Sequence, residues 1–217
     1  MLFSPKNKFF GLLISLLTLF VMGSLFDHGT VLRIAMNVSL MFVLIFSVLL
    51  VSNSKIKLIA AIILASPLLY TLFEGNMSES AVLSYFEVAT ALAFFVYILA
   101  ILVENVFGSR RISTDIIVGS ICIYFLMCIL WAFLYMLVAL TFPNSFNIDS
   151  SLMSFQNLND FIYYSIVTIT TLGYGDILPL SRPARTLAAL EAIVGQIYLT
   201  VLIARIVGIH LSQRVKN

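Results

Sequence analysis

TTLGYGD, at Thr170–Asp176, is the stretch that decides how this chain folds. It overlaps the end of Phe161–Thr171, an apolar segment that is compatible with a helix but too short to cross a membrane. Its glycines, Gly173 and Gly175, can adopt positive φ without steric strain, so consecutive carbonyls can point the same way. Non-helical backbone at membrane depth is tolerated only where protein buries it or a water-filled cavity meets it. The pattern therefore predicts a loop that enters a membrane partway and returns.

The composition places the chain in a membrane. Of its 217 residues, 61% are hydrophobic and 10% are charged, and the mean hydropathy is +1.09. Soluble domains contain about 25% charged residues, so this chain has too few polar side chains to cover a soluble domain. The net charge of +2 lies in short connections, and no basic patch indicates a nucleic-acid partner. We expect membrane lipids, and no nucleic acid, among its partners.

Six apolar segments are long enough to cross a hydrocarbon layer of about 30 Å as helices. They are Phe9–Phe26, Val31–Val51, Ile56–Phe73, Val82–Phe107, Ile116–Phe142 and Leu187–Leu211. Only the fifth connection, Pro143–Thr186, is long, and it contains TTLGYGD. The predicted fold is an all-α membrane protein with six transmembrane helices. A re-entrant helix, with Asn159 as its cap and Asp160 in its first turn, lies between the last two.

Basic residues indicate the orientation. An even number of spans places both termini on one side, and the side richer in Lys and Arg is usually cytoplasmic. The terminal side carries eight such residues and the other side three: Lys6, Lys8, Lys55, Lys57, Arg110, Arg111, Arg214 and Lys216 against Arg33, Arg182 and Arg185. We predict a multi-pass cell-membrane protein with both termini in the cytoplasm, and a bacterial inner membrane suits so compact a chain.

TTLGYGD resembles the T-x-G-Y-G-D signature of the tetrameric potassium channel superfamily, with Leu172 where Val or Ile is commonest. In that superfamily four copies surround one axis, and backbone oxygens replace the hydration shell of K⁺. Taken alone, Gly173–Asp176 is better explained as a tight external turn, and the preceding short helix and the flanking spans favour the filter instead. The resemblance implies an ion filter in which K⁺ is bound by the carbonyls of Thr171, Leu172, Gly173 and Tyr174, with Gly175 near the outer mouth.

The resemblance covers Ile116–Leu211 and implies a shell of residues that support the filter. Tyr163 and Tyr164 stand where many relatives carry two aromatic residues, and their hydroxyls are expected to reach Asp176 or Tyr174. Simple aromatic packing is the alternative. The residues expected to support the filter are Thr170, Asp176, Tyr163, Tyr164 and Glu191.

Glu191 is an acid within an apolar segment, and intramembrane acids are functional candidates by default. We expect its carboxyl group behind the filter, hydrogen-bonded to Ser165 or Thr168. Two interpretations remain open. The group either senses external pH or makes a purely structural bond to the re-entrant helix.

Gly195 lies in the last span, where many relatives carry a glycine that lets the inner helix bend. Close helix packing is the alternative. Arg205 is expected to reach the inner membrane interface or to pair with an acid, because a cation lining the pore would repel K⁺. The same correspondence, at i, i+3 and i+4 spacing, places four residues on the pore axis: Gln196, Leu199, Ile203 and Val207.

The first four spans lack the voltage-sensor pattern of six-span relatives, which concentrate Arg or Lys every third residue in the fourth span. Val82–Phe107 contains no basic residue, only Glu87 and Glu104. We expect residues 1–110 to form a four-helix region without voltage sensing and residues 111–217 to form the pore domain of a homotetramer. The expected function is passive, potassium-selective conduction, leak-like or weakly gated.

Two other functions stay open. A less selective monovalent cation channel is one, because Leu172 and Tyr163 depart from the common pattern. A non-conducting accessory subunit or a transporter is the other. An enzyme is not expected, since His28 and His210 fall at opposite membrane faces and no acids or histidines cluster. No cofactor is expected beyond K⁺ as the permeant ion, and the expected partners are identical subunits, lipids and K⁺.

Overall fold

The computed structural model describes residues 8–25, 30–51, 54–74, 80–109, 113–148 and 155–214. Within these ranges the chain forms seven α-helices and no strand. They are α1 (Lys8–Leu25), α2 (Thr30–Leu50), α3 (Lys55–Glu74), α4 (Ala81–Gly108), α5 (Thr114–Thr141), α6 (Phe155–Ile169) and α7 (Arg182–Arg214). The all-α class predicted from the sequence is confirmed for the described residues.

Four helices are long and apolar enough to cross a membrane. The spans are Lys55–Phe73 in α3, Val82–Gly108 in α4, Thr114–Thr141 in α5 and Arg182–Ile209 in α7. The apolar stretches of α1 and α2, Phe9–Gly23 and Ile34–Leu50, are shorter. At about 1.5 Å per residue they reach roughly 22 to 26 Å, somewhat less than a hydrocarbon layer of about 30 Å. The chain is thus a membrane protein with four candidate spans, and the count of six stays a prediction.

Contacts between helix ends divide the bundle into two opposite ends. At one end, a Cβ added to Gly119 in α5 would lie 3.0 Å from Val106 in α4 and 3.1 Å from Phe9 in α1. At the other end, the hydroxyl of Tyr85 in α4 donates to the carbonyl of Leu140 in α5 over 3.1 Å. The start of α1 and the start of α5 therefore lie beside the end of α4, and α4 and α5 are antiparallel.

Burial differs sharply between α5 and α7. In the most apolar stretch of α5, 56% of the residues are buried, because the helix packs against α1, α4, α6 and α7. In the corresponding stretch of α7 only 6% of the residues are buried, although the stretch is nearly as apolar. A helix that is hydrophobic all round is covered by protein or by membrane lipid on every side. Most of α7 therefore presents apolar surface that this one chain leaves uncovered.

The helix that precedes TTLGYGD begins earlier than predicted. α6 starts at Phe155, so Asn159 lies inside the helix. The predictions that Asn159 is the cap and that Asp160 lies in the first turn are therefore wrong. Its amide donates instead to the carbonyl of Gly23, near the end of α1, over 3.2 Å. A Cβ on Gly23 would lie 2.1 Å from the Asn159 side-chain oxygen. The absent side chain at Gly23 lets α1 approach the start of α6 this closely.

Candidate functional site

The end of α6 fixes the start of the TTLGYGD stretch. The N–H groups of Leu172 and Gly173 donate to the carbonyl of Val167 over 3.0 and 3.2 Å. The N–H of Thr171 donates to the carbonyl of Thr168 over 3.0 Å. Carbonyls in the last turn of a helix lack partners within it, and here the residues that follow supply them. The stretch is thereby held close against the helix that leads into it.

Alternate residues of the stretch have left-handed backbone. φ is +59° at Thr171, +59° at Gly173 and +80° at Gly175. Ordinary strand residues alternate their carbonyls between two faces, whereas a left-handed residue at every second position lets them share one. Positive φ was expected at the glycines but not at Thr171, whose β-branched side chain disfavours it. Such strained residues concentrate at ligand-binding sites.

The whole stretch is exposed in a single chain. Leu172 is 54% exposed and Tyr174 is 69% exposed. Among the described residues, no hydrogen bond reaches a carbonyl between Thr171 and Gly175. Backbone oxygens inside a membrane need water, an ion or another protein group as a partner. Carbonyls that have no partner among the described residues are suited to a cation that prefers oxygen ligands.

The segment after the TTLGYGD stretch is braced by Asn147, a residue that the sequence analysis did not single out. Its amide donates to the carbonyl of Asp176 over 2.8 Å, and its side-chain oxygen accepts from the N–H of Leu178 over 2.6 Å. The isolated bridge between Phe146 and Pro179 lies beside these bonds. Many polar residues precede α6, and nothing in the sequence distinguishes this one.

The two neighbouring tyrosines of α6 take different positions. The hydroxyl of Tyr163 donates to the Asp176 carboxylate over 2.6 Å and lowers the pKa of that group below its ordinary value. Tyr164 is instead buried, with its ring 4.8 Å from Tyr135 and 5.6 Å from Phe146. Of the two contacts expected from the sequence, the structure contains the one from Tyr163. Tyr164 instead packs between α6 and α5.

Tyr163→Phe should shift the acid destabilisation of the protein to higher pH. The lowered pKa means that the stabilisation from the Asp176 carboxylate is complete above its ordinary pKa of 3.8 and disappears as pH falls through the folded-state value. Without the hydroxyl, that loss begins at higher pH. Midpoints of thermal unfolding measured in detergent between about pH 3 and about pH 6 test this. Tyr97→Phe, which removes a hydroxyl bound to Lys57, is the control, and coincident midpoints would contradict the prediction.

Glu191 joins three helices beside the TTLGYGD stretch. It lies on α7 and is fully buried. Ser165 of α6 and Tyr135 of α5 donate hydrogen bonds to its two carboxyl oxygens. Ser165 is one of the two partners expected from the sequence. Tyr135 was missed, because a tyrosine in an apolar helix carries no mark of its hydrogen-bond partner.

Gly195 lies where α7 passes the end of α6. A Cβ there would lie 2.5 Å from Ile169 Cγ1 and 2.7 Å from the Ile169 carbonyl oxygen. The hydroxyl of Tyr124 in α5 donates to the same carbonyl over 3.2 Å. The geometry supports close packing as the role of this glycine, and its role as a hinge stays a prediction.

Gly195→Ala should destabilise the protein, because the added methyl group meets backbone as well as a side chain. Overpacking of this kind costs about 1–3 kcal/mol. The midpoint of thermal unfolding in detergent measures the effect. Gly208→Ala on the same helix is the matched control, since a Cβ there meets nothing within 4 Å. Equal midpoints in the two variants would show that the α6–α7 contact is not tight.

The other residues expected around the site are described as follows. The hydroxyl of Thr170, the residue that follows α6, donates to the carbonyl of Ile166 in the last turn of that helix over 2.6 Å. Arg205 donates from Nη2 to the carbonyls of Phe107 and Ser109, over 3.1 and 2.7 Å, and no acid among the described residues pairs with it. Of the two expected outcomes, a position at the inner membrane interface stays a prediction. Carbonyls at the end of a helix are unpaired and partly negative, which suits a cation.

Within the single chain three residues of the predicted pore stripe are exposed and one is partly exposed: Gln196, Ile203 and Val207, then Leu199.

The described residues contain no group of three or more His, Cys, Asp or Glu side chains that could hold a metal ion. The ligands that the site offers are backbone oxygens, which suit hard cations.

Residues 116–210 match a family model described as "Ion channel". The match covers nearly all of α5, all of α6, the TTLGYGD stretch and most of α7, which is less than half of the 217-residue chain. No curated protein and no solved structure matches the chain. The match supports an ion channel, rather than an enzyme, as the class of protein. Helices α1–α4 lie outside the matched range.

Proposed function

We propose that four copies of this chain form a potassium-selective channel, with Thr171–Gly175 of each copy along a shared ion path. The observation that carries the proposal is the backbone of the filter. Its left-handed residues alternate, and its carbonyls have no partner among the described residues. Rings of such carbonyls replace the hydration shell of K⁺ in potassium filters.

The need for several copies follows from what one chain leaves open. One chain supplies a single row of oxygens, which is one side of an ion's coordination shell. Its filter is exposed, and α7 is 6% buried in its most apolar stretch. Identical copies around an axis would supply the remaining oxygens and cover part of α7. The same arrangement would place Gln196, Leu199, Ile203 and Val207 along the path below the filter.

We further propose that α1 and α2 also cross the membrane, which gives six spans and cytoplasmic termini. Phe9 at the start of α1 contacts the start of α5, and Gly23 near its end binds Asn159 in α6. α1 therefore extends from one end of the bundle to the level of the pore helix. In this arrangement residues 1–110 pack on the pore domain, residues 111–217, of the same chain. Conduction is passive and leak-like, because α4 carries no cation that could move in the field.

The test is ion flux through purified protein in liposomes. With K⁺ on one side and Na⁺ on the other, the reversal potential should follow the K⁺ gradient, and Ba²⁺ should block the current. A reversal potential near zero with equal K⁺ and Na⁺ would instead indicate a less selective cation channel. No flux from a folded, oligomeric preparation would indicate a non-conducting accessory subunit.

A further inference from the structure

An apolar groove lies between α4 and α7, and α5 forms its floor. Its volume is about 280 Å³, near the lower end of the range of about 300–1,000 Å³ for small-molecule sites. Val103 is 39% exposed, so the groove opens to the outside of the bundle. All three helices around it are candidate membrane spans. The lining residues are Leu99, Val103, Phe107, Ile123, Met127 and Tyr198.

A cation adjoins this groove. The guanidinium carbon of Arg205 lies 4.8 Å from the ring centre of Phe107, one of the lining residues. Nη2 of Arg205 makes both of its hydrogen bonds, to the carbonyls of Phe107 and Ser109. A guanidinium has five N–H donors, so the donors on Nη1 and Nε have no partner among the described residues.

Among the described residues, Arg205 also has no counter-ion. The ion pair found in the described residues joins Lys57 to Glu104, and no acid pairs with Arg205. A cation within a membrane span is unfavourable unless an anion, water or carbonyls accompany it. Two carbonyls satisfy one nitrogen and leave the net charge in place. The site therefore combines an apolar slot with an adjoining cation that has free donors.

We propose that the groove holds one acyl chain of an anionic phospholipid whose phosphate binds Arg205. Phosphate oxygens accept the parallel N–H bonds that a guanidinium offers. A phospholipid fits better than a free anion, because the apolar slot and the cation share Phe107 and together match an amphipathic ligand. The lipid would lie where the end of α4 meets α7. The proposal needs α4, α5 and α7 to lie in a membrane, and it does not depend on ion conduction.

Lipid binding to delipidated protein in detergent tests the proposal. Phosphatidylglycerol and phosphatidylcholine with identical acyl chains are titrated separately, and native mass spectrometry counts the lipids bound to each chain. Wild type should prefer phosphatidylglycerol, and Arg205→Gln should lower that preference about tenfold or more, since bonds to a charged group are lost. Arg182→Gln, at the opposite end of α7 and exposed, is the matched control and should leave the preference unchanged.

A second variant tests the groove separately. Val103→Trp keeps Arg205 and fills the slot, so it should weaken binding of both lipids. Arg205→Lys keeps the charge and should retain part of the preference, which distinguishes a lost anion contact from misfolding of Arg205→Gln. Equal binding of the two lipids to wild type, an unchanged preference in Arg205→Gln, or normal binding to Val103→Trp would overturn the proposal. So would an equal loss in Arg182→Gln, which would indicate diffuse charge attraction. Because binding is the readout, protein that binds lipid but passes no K⁺ would contradict the channel alone.

Discussion

Gly173→Ala should reduce K⁺ flux by at least about a hundredfold while leaving the protein folded. Gly173 has a φ of +59°, and a left-handed conformation costs a residue with a side chain roughly 1–2 kcal/mol. In the proposed tetramer that strain occurs in every copy, so the filter would lose about 4–8 kcal/mol relative to other conformations. Each 1.4 kcal/mol changes an equilibrium about tenfold, so the conducting conformation becomes rare.

Gly108→Ala is the matched control for this prediction. A Cβ added at Gly108 or at Gly173 meets nothing within 4 Å in one chain, so steric clash does not separate the two sites. Gly108 lies at the end of α4 without a positive φ, and alanine there should be neutral or stabilising by about 0.5–1 kcal/mol. The comparison therefore isolates backbone conformation. Selective K⁺ flux at the wild-type rate through Gly173→Ala would mean that the filter does not require positive φ, and the proposed ion path would fail.

The helices could be predicted because each is a continuous apolar run with a polar break at its end. The sixth predicted span, Leu187–Leu211, lies within α7, and the fifth, Ile116–Phe142, corresponds to α5. The start of α6 was predicted too late, because its first residues include Gln156, Asn157 and Asn159, which interrupt the apolar pattern. A polar first turn and a loop look the same at this level.

The left-handed backbone of the two glycines was predictable, whereas several contacts around the TTLGYGD stretch were not. Gly173 and Gly175 could be assigned positive φ because glycine has no side chain to oppose it, and both adopt it. Thr171 adopts the same conformation against its own preference, so surrounding bonds impose it. The partners of Arg205 are backbone carbonyls, and those of Gly195 are backbone as well as side chain. Because every residue has a backbone, sequence carries no signal of which one will be contacted.

Glu191→Leu should be the most destabilising substitution away from the filter. It removes the acceptor for the hydroxyls of Tyr135 and Ser165, both of which are fully buried. Each buried hydroxyl left without a partner costs about 1–3 kcal/mol, so the loss should be about 2–6 kcal/mol. Glu191→Gln should cost less, because its amide keeps one acceptor oxygen and a rotating hydroxyl can accept from its NH₂ group. The midpoint of thermal unfolding in detergent ranks the stabilities of wild type, Glu191→Gln and Glu191→Leu.

Two further variants decide whether the hydrogen bonds, rather than side-chain volume, carry this effect. Glu104→Leu removes an exposed acid paired with Lys57 and should cost less than about 1 kcal/mol, as surface ion pairs usually do. Tyr135→Phe, placed in the Glu191→Leu background, removes one of the two unsatisfied hydroxyls. It should therefore cost less there than in wild type, and a double-mutant cycle measures the difference as an interaction between the two residues. If Tyr135→Phe has the same effect in both backgrounds, the bond between α5 and α7 contributes nothing. The stability of the region behind the filter would then have to come from the packing of Tyr135, Phe146 and Tyr164.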